Sequence, residues 1–206
     1  YSARSVVLPI VPMFHVNAWG IPYAAPLTGV KLVLPGAGMD GASLYELFET
    51  EKVESSAGVP TVWLNLISHM KQHRLKFSTL KFATIGGAAV PPAMVRTLAD
   101  DFGLQVLHGW GMTEMSPVGT INVEKEKHGR LSAEERFLLS LKQGRPLYGV
   151  EMKIVDGGGN ELPWDGKAAG NLLVRGPWIL REYYRDDGGN PLTADGWFPT
   201  GDVGTI

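Results

Sequence analysis

The chain has 206 residues, 44% of them hydrophobic, a net charge of −2 and no cysteine. That length and apolar content suffice for one sizeable core or two small ones. The near-neutral charge argues against a polyanion-binding surface and hence against a nucleic-acid partner, and the missing cysteines remove disulfides, thiolate metal sites and cysteine nucleophiles.

No charged segment followed by an apolar core marks a signal peptide. The longest apolar stretch is interrupted by Pro9, Pro12, His15, Asn17, Pro22 and Pro26, too often for a membrane span. The expectation is a soluble, cytoplasmic protein.

In chain order, short apolar or β-branched runs bounded by Gly and Pro predict strands at 6–11, 30–34, 53–58, 82–85 and 104–107. Between them, apolar spacing predicts helices at 42–51, with Leu44, Leu47 and Phe48 on one face, at 61–72, with Val62, Leu66, Ile67 and Met70, and at 92–102, opened by Pro91 and Pro92. The alternation predicts an α/β fold with a mostly parallel open sheet, whose ligands sit beyond the carboxyl ends of the strands. Residues 123–143 are charged, with Ser132 and Glu135 in capping-box register, and read as a helical insertion. From 144 onward, strand runs at 150–155 and 171–174 around the turn Gly157-Gly158-Gly159-Asn160 predict a small β-rich, barrel-like subdomain. Three segments result: 1–122, 123–143 and 144–206.

Gly36-Ala37-Gly38-Met39-Asp40-Gly41 matches the G-x-G-x-x-G pattern that seats a dinucleotide pyrophosphate. The next strand, however, ends Ala57-Gly58-Val59-Pro60 with no carboxylate for a ribose, so a plain strand-to-helix loop with Asp40 near the helix start is the better reading. His69 and His73 stand at i, i+4, a zinc-ligand spacing, but Met70 occupies the place of a metalloprotease glutamate, and two imidazoles flanked by Lys71 and Arg74 read as a solvated helix face.

Two loops at strand ends carry more. "TIGGAAVPP" puts Gly86, Gly87, Ala88 and Ala89 where missing side chains let a flat ring lie against the backbone. "LHGWGMTE" offers Trp110 to stack on a base, Gly109 and Gly111 to leave room, Thr113 to reach a phosphate and Glu114 to hold Mg²⁺. Either loop by itself reads as an ordinary Gly-rich turn, but together on neighbouring strands they point to a nucleotide site. Asp202 in "PTGDVG" could accept two hydrogen bonds from a ribose diol, although turn aspartates are common.

"GGAAVPP", "HGWGMTE", "GNLLVRGPWILREYY" and "WFPTGDVG", in that order, resemble the adenylate-forming superfamily of acyl-CoA synthetases, luciferases and adenylation domains. "VPMFHVNAWGIPYAAPLTGVKLVLPG" is similar to the medium- and long-chain fatty-acyl-CoA synthetases. The likeness spans essentially the whole chain. It implies that a fatty acid attacks the α-phosphate of ATP to give acyl-AMP and pyrophosphate, and that the thiol of coenzyme A then displaces AMP. By the same resemblance, Gly87, Ala88 and Trp110 would sandwich adenine, with His108 at its edge and Gly109, Gly111 and Met112 around the nucleotide. Thr113 would contact phosphates, Glu114 would ligate Mg²⁺ and Asp202 would bind the ribose hydroxyls. His15 would sit beside the substrate carboxylate, Trp19 would gate the acyl tunnel, and Val16, Gly109 and Gly111 would flank the acyl group.

Relatives also carry a phosphate loop upstream and a lysine-bearing small domain downstream. The resemblance therefore implies an internal piece of a longer enzyme that cannot complete acyl-AMP formation unaided. It further implies a homodimeric parent that meets membranes peripherally to collect fatty acid. An aryl-CoA ligase and a non-catalytic nucleotide or acyl-adenylate binder are the alternatives. Amino-acid activation is disfavoured, because residues 13–23 offer no carboxylate for an ammonium group.

Overall fold

A computed structural model describes residues 1–185 and 188–206. Five strands run parallel: β1 (Val6–Pro9), β2 (Lys31–Leu32), β3 (Ser55–Gly58), β4 (Phe82–Ile85) and β5 (Gln105–Gly111). Two antiparallel strands, β6 (Val118–Ile121) and β7 (Arg145–Pro146), complete a seven-stranded sheet of order β2-β1-β3-β4-β5-β6-β7. The chain leaves β1 toward one edge and returns to its other side through β3. This reversal opens a crevice at the strands' carboxyl ends.

Strand alternation divides the core between two faces. Leu8, Ile10, Ala83, Ile85 and Val106 bury against α3 (Gly41–Thr50), α4 (Pro60–His73) and α5 (Pro92–Arg96), through Leu44, Phe48, Trp63, Leu66, Met70, Met94 and Val95. Each large apolar side chain so buried contributes about 1.5–3 kcal/mol. Val7 and Ala57 point to the opposite face, where they meet Ile21 and Ala25 of α2 (Ile21–Thr28).

The helix starts follow from their sequences. Asp40 caps α3, its carboxylate accepting from the N–H groups of Ala42 (3.1 Å) and Ser43 (3.0 Å). A Cβ on Gly41 would lie 2.5 Å from the His69 Cβ, so this glycine lets α3 approach α4. The 36–41 glycines thus form a capped turn and a close helix contact. The rings of His69 and His73 lie 4.6 Å apart, and among the described residues no group of three or more His, Cys, Asp or Glu could hold a metal.

Several elements differ from the sequence expectation, among them the short β1 and β2, the unexpected α2 and β6, and three more. The helix expected at 92–102 is α-helical only through Arg96, and Thr97–Asp101 form a wider π turn. It ends where the Leu104 N–H reaches the Leu98 carbonyl (2.9 Å) and Gly103, at φ +69°, swings the chain into β5. The strand expected at 104–107 runs instead to Gly111, because β6 folds back on it and pairs Trp110 with Thr120. Residues 123–143 hold a short 3₁₀ turn (Glu126–Arg130) and α6 (Ala133–Ser140), the latter opened by the expected Ser132–Glu135 capping box.

A second, antiparallel sheet of order β10-β9-β8 comprises β8 (Glu151–Val155), β9 (Ala169–Arg175) and β10 (Phe198–Thr205). Its core, with Val150, Val174, Ile179 and Phe198, also takes in Met115, Trp110 and Met112 from the large sheet's loop. No helix among the described residues is long and apolar enough to cross a membrane.

Candidate functional site

The crevice is bounded by the segments that leave the carboxyl ends of the parallel strands. After β1, residues Val16–Trp19 (α1) form one turn with φ between +45° and +57°, continued by Gly20 at +75°. A left-handed turn costs roughly 1–2 kcal/mol per non-glycine residue. Ala18 is fully buried, and the Asn17 side-chain N–H donates to the Tyr23 hydroxyl at 3.0 Å, ties that hold the turn in place. His15 precedes it, exposed and making no capping bond. The consequence is that Val16 and Trp19 face the sheet.

After β4, Gly86 and Gly87 leave the surface flat beneath Trp19. A Cβ on Gly86 would stand 2.9 Å from the Gly109 carbonyl oxygen and 3.5 Å from the Trp19 ring. Gly87 takes φ +76°, where a side chain would be strained. Glycine is therefore required at both positions, one by space and one by conformation.

Two cavities meet here. The smaller, about 490 Å³, lies over the sheet face floored by Ala57 and Thr84, which are neighbours in the β3–β4 register, and is walled by His15, Val16, Trp19, Gly86 and Met112 to Glu114. The larger, about 930 Å³, is lined by Ala88, His108, Lys142 and Asp202. Gly87, Gly109, Trp110 and Gly111 border both. Every residue expected in the acyl or nucleotide site thus lies on one of two adjoining walls.

Within this arrangement each polar group has a definite setting. His108 is 2% exposed, with Nδ1 3.1 Å from the Leu141 carbonyl oxygen. A carbonyl can only accept, so Nδ1 carries the proton. Burial disfavours the imidazolium and holds its pKa below the ordinary value, partly offset by that hydrogen bond. Thr113 opens a 3₁₀ turn at the exposed rim, and Glu114 follows it. The Tyr183 hydroxyl donates to Glu114 Oε1 at 2.9 Å, leaving Oε2 unengaged by any described residue. Such a lone carboxylate fits a magnesium ion that draws its remaining ligands from phosphates and water. The Trp110 indole N–H donates to Asp202 Oδ2 at 2.7 Å.

Several of these features escaped sequence reasoning. The left-handed turn is one, since Val16, Asn17, Ala18 and Trp19 include no glycine to signal positive φ. Tyr183, 69 residues from Glu114, and the cavity floor of Ala57 and Thr84 are others. The small side chains of "SSAG" before Val59 were the one available sign of the floor.

An open parallel sheet with glycine-rich loops and a half-engaged carboxylate at its carboxyl ends defines an α/β protein of the class whose ligands sit in that crevice. The AMP-binding enzyme family matches residues 1–184, and the chain belongs to that family. It is 50% identical over 205 residues to a medium-chain-fatty-acid–CoA ligase of Ectopseudomonas oleovorans, covering 100% of this chain and 37% of the relative. It is 48% identical over 206 residues to a 3-methylmercaptopropionyl-CoA ligase of Ruegeria lacuscaerulensis, covering 100% of this chain and 38% of the relative. The chain therefore spans well under half the length of these curated relatives. Among solved structures, a long-chain-fatty-acid–CoA ligase from Archaeoglobus fulgidus superposes with a TM-score of 0.83 at 27% identity, over 100% of this chain and 42% of that one.

Proposed function

We propose that the protein activates a medium- or long-chain fatty acid, first joining it to ATP as acyl-AMP with release of pyrophosphate, then transferring the acyl group to coenzyme A with release of AMP. The observation that carries this reading is the 490 Å³ cavity. It runs from a floor of small side chains, past Val16 and Trp19, to Thr113 and Glu114, so an alkyl chain buried there presents its carboxylate to the phosphate-facing rim.

In this reading Trp19 closes the acyl cavity and His15 stands by the carboxylate, with Val16, Gly109 and Gly111 along the chain. Gly87, Ala88, Trp110, Gly111 and Met112 border the adenine, and His108 lies beneath its edge. Thr113 donates to phosphate and Asp202 accepts from the ribose. Glu114 would hold Mg²⁺, which when bound offsets the charge that develops between the α-phosphate and pyrophosphate. Tyr183 keeps that carboxylate aimed at the cavity. Residues 1–122 thus carry the acyl and adenine loops, 123–143 cover them, and 144–206 supply the ribose carboxylate. A cytoplasmic homodimer that collects fatty acid at membrane surfaces belongs to the same proposal.

A second acid class has a specific basis, because one close relative is named for 3-methylmercaptopropionate, a short thioether acid. The test supplies the full-length protein with ATP, Mg²⁺ and acids from acetate and 3-methylmercaptopropionate through benzoate to palmitate, and measures pyrophosphate. Release should peak on aliphatic acids of medium or greater length, and Glu114→Ala should cut it by about 10²–10³-fold. A peak on the thioether acid or benzoate replaces the acid and keeps the reaction. No release with any acid leaves a nucleotide-binding protein without turnover.

A further inference from the structure

Asp202 does not sit on a regular strand. Pro199 pairs with Leu173 and Val203 with Asn171, so Thr200, Gly201 and Asp202 of β10 all stand opposite Leu172 of β9. Gly201 adopts φ +81° to make the bulge, the Thr200 hydroxyl donates to the Leu172 carbonyl at 2.9 Å, and the Asp202 N–H donates back to the Thr200 hydroxyl oxygen at 3.1 Å. Bulges of this kind re-aim a side chain. Here the bulge turns the Asp202 carboxylate out of the small sheet and into the larger cavity.

Trp110 arrives from the other sheet, at an irregularity of its own where the β5–β6 register shifts between Trp110 and Gly111. Its ring is seated over Gly119, where a Cβ would lie 2.7 Å from the ring carbon Cζ3. No side chain fits beneath it. Packed there, the ring brings its N–H to Asp202 Oδ2 across 92 residues of sequence. An aspartate on an exposed turn otherwise samples several rotamers, and holding one of them lowers the ordering cost of binding. The bond occupies part of Oδ2 and leaves Oδ1 with no partner among the described residues, open to a pair of adjacent hydroxyls.

We infer that Trp110 is a positioning residue for Asp202, its indole N–H setting the carboxylate for a vicinal diol so that one side chain couples base recognition to sugar recognition. The inference rests on the nucleotide reading of the larger cavity, and it assigns Trp110 a part that stacking does not require. A phenylalanine would supply the ring face and lose the N–H.

The test measures binding of AMP and of 2′,3′-dideoxy-AMP to the full-length protein by calorimetry. Wild-type protein should prefer AMP by about tenfold or more, the value of a hydrogen bond to a charged group. Trp110→Phe should lower the preference for AMP over dideoxy-AMP several-fold, whatever the smaller ring costs the binding of both nucleotides alike. In an Asp202→Ala background the same change should leave the ratio unaltered, because the two residues act through one bond. Should Trp110→Phe not fold by circular dichroism, Trp110→Met, which likewise carries no N–H or O–H donor, reads the same ratio. Wild-type protein that binds no AMP overturns the nucleotide reading and this inference with it. Wild-type preference that survives intact in the donor-free variant, or falls equally with Asp202 absent, overturns the inference alone.

Discussion

His108 shows how a residue can be noticed for its place in a motif and yet be held by its burial. Its ring is enclosed beneath the insertion, and a buried imidazole resists protonation. Because its folded pKa lies below the ordinary 6.5, the unfolded chain binds more protons as the pH falls through that value. Stability should therefore be full at pH 8, decline as the pH drops through the imidazole range, and level off below the folded value. Urea midpoints measured between pH 8 and 5 should show this slope in wild-type protein and a smaller one in His108→Gln, and equal slopes would remove His108 as the cause. Gly111 makes a sterner demand. A Cβ there would lie 2.0 Å from the Pro117 carbonyl oxygen, which is backbone and cannot swing aside. Gly111→Ala should lower unfolding stability by about 1–3 kcal/mol and displace the neighbouring Trp110. Unchanged denaturation would mean that β5 and β6 can separate without cost. Both roles were only half legible, since "HGWG" was read as a loop with room beside a base, not as one onto which β6 folds back.

At the scale of elements, periodicity located helices well and local chemistry explained their starts. Asp40 and Ser132 are the N-caps their positions suggested, because a cap is decided by a side chain and backbone two or three residues away. The turn at Val16–Trp19 is the counterexample. Local preference favours the right-handed form for all four residues, and the left-handed one persists because Ala18 is buried, Trp19 lies over Gly86 and Asn17 is tied to Tyr23. Removing the tie tests that account. Asn17→Ala discards both the hydrogen bond and the side chain most tolerant of positive φ, and should lower stability by about 1 kcal/mol. A stability equal to wild type would place the whole restraint on Ala18 and Trp19.

Across the whole molecule, the outward side of α2 is apolar: Tyr23 and Leu27 stand one turn apart, Leu27 87% exposed, while Ile21 and Ala25 pack inward. Phe14, in the loop after β1, is 90% exposed. Exposed apolar surface of this kind favours association. The 206-residue chain should show concentration-dependent sedimentation that Leu27→Glu reduces, and identical profiles for the two would show that this surface is not the cause. By itself the sequence determined the α/β class, the glycine-rich loops at strand ends and the family likeness, because these are written in local patterns of hydrophobicity, turn residues and motif order. Only the tertiary structure decided the strand order that opens the crevice, the left-handed turn that aims Val16 and Trp19, and the pairing of Trp110 with Asp202. Each of these depends on packing between elements, which no local pattern encodes.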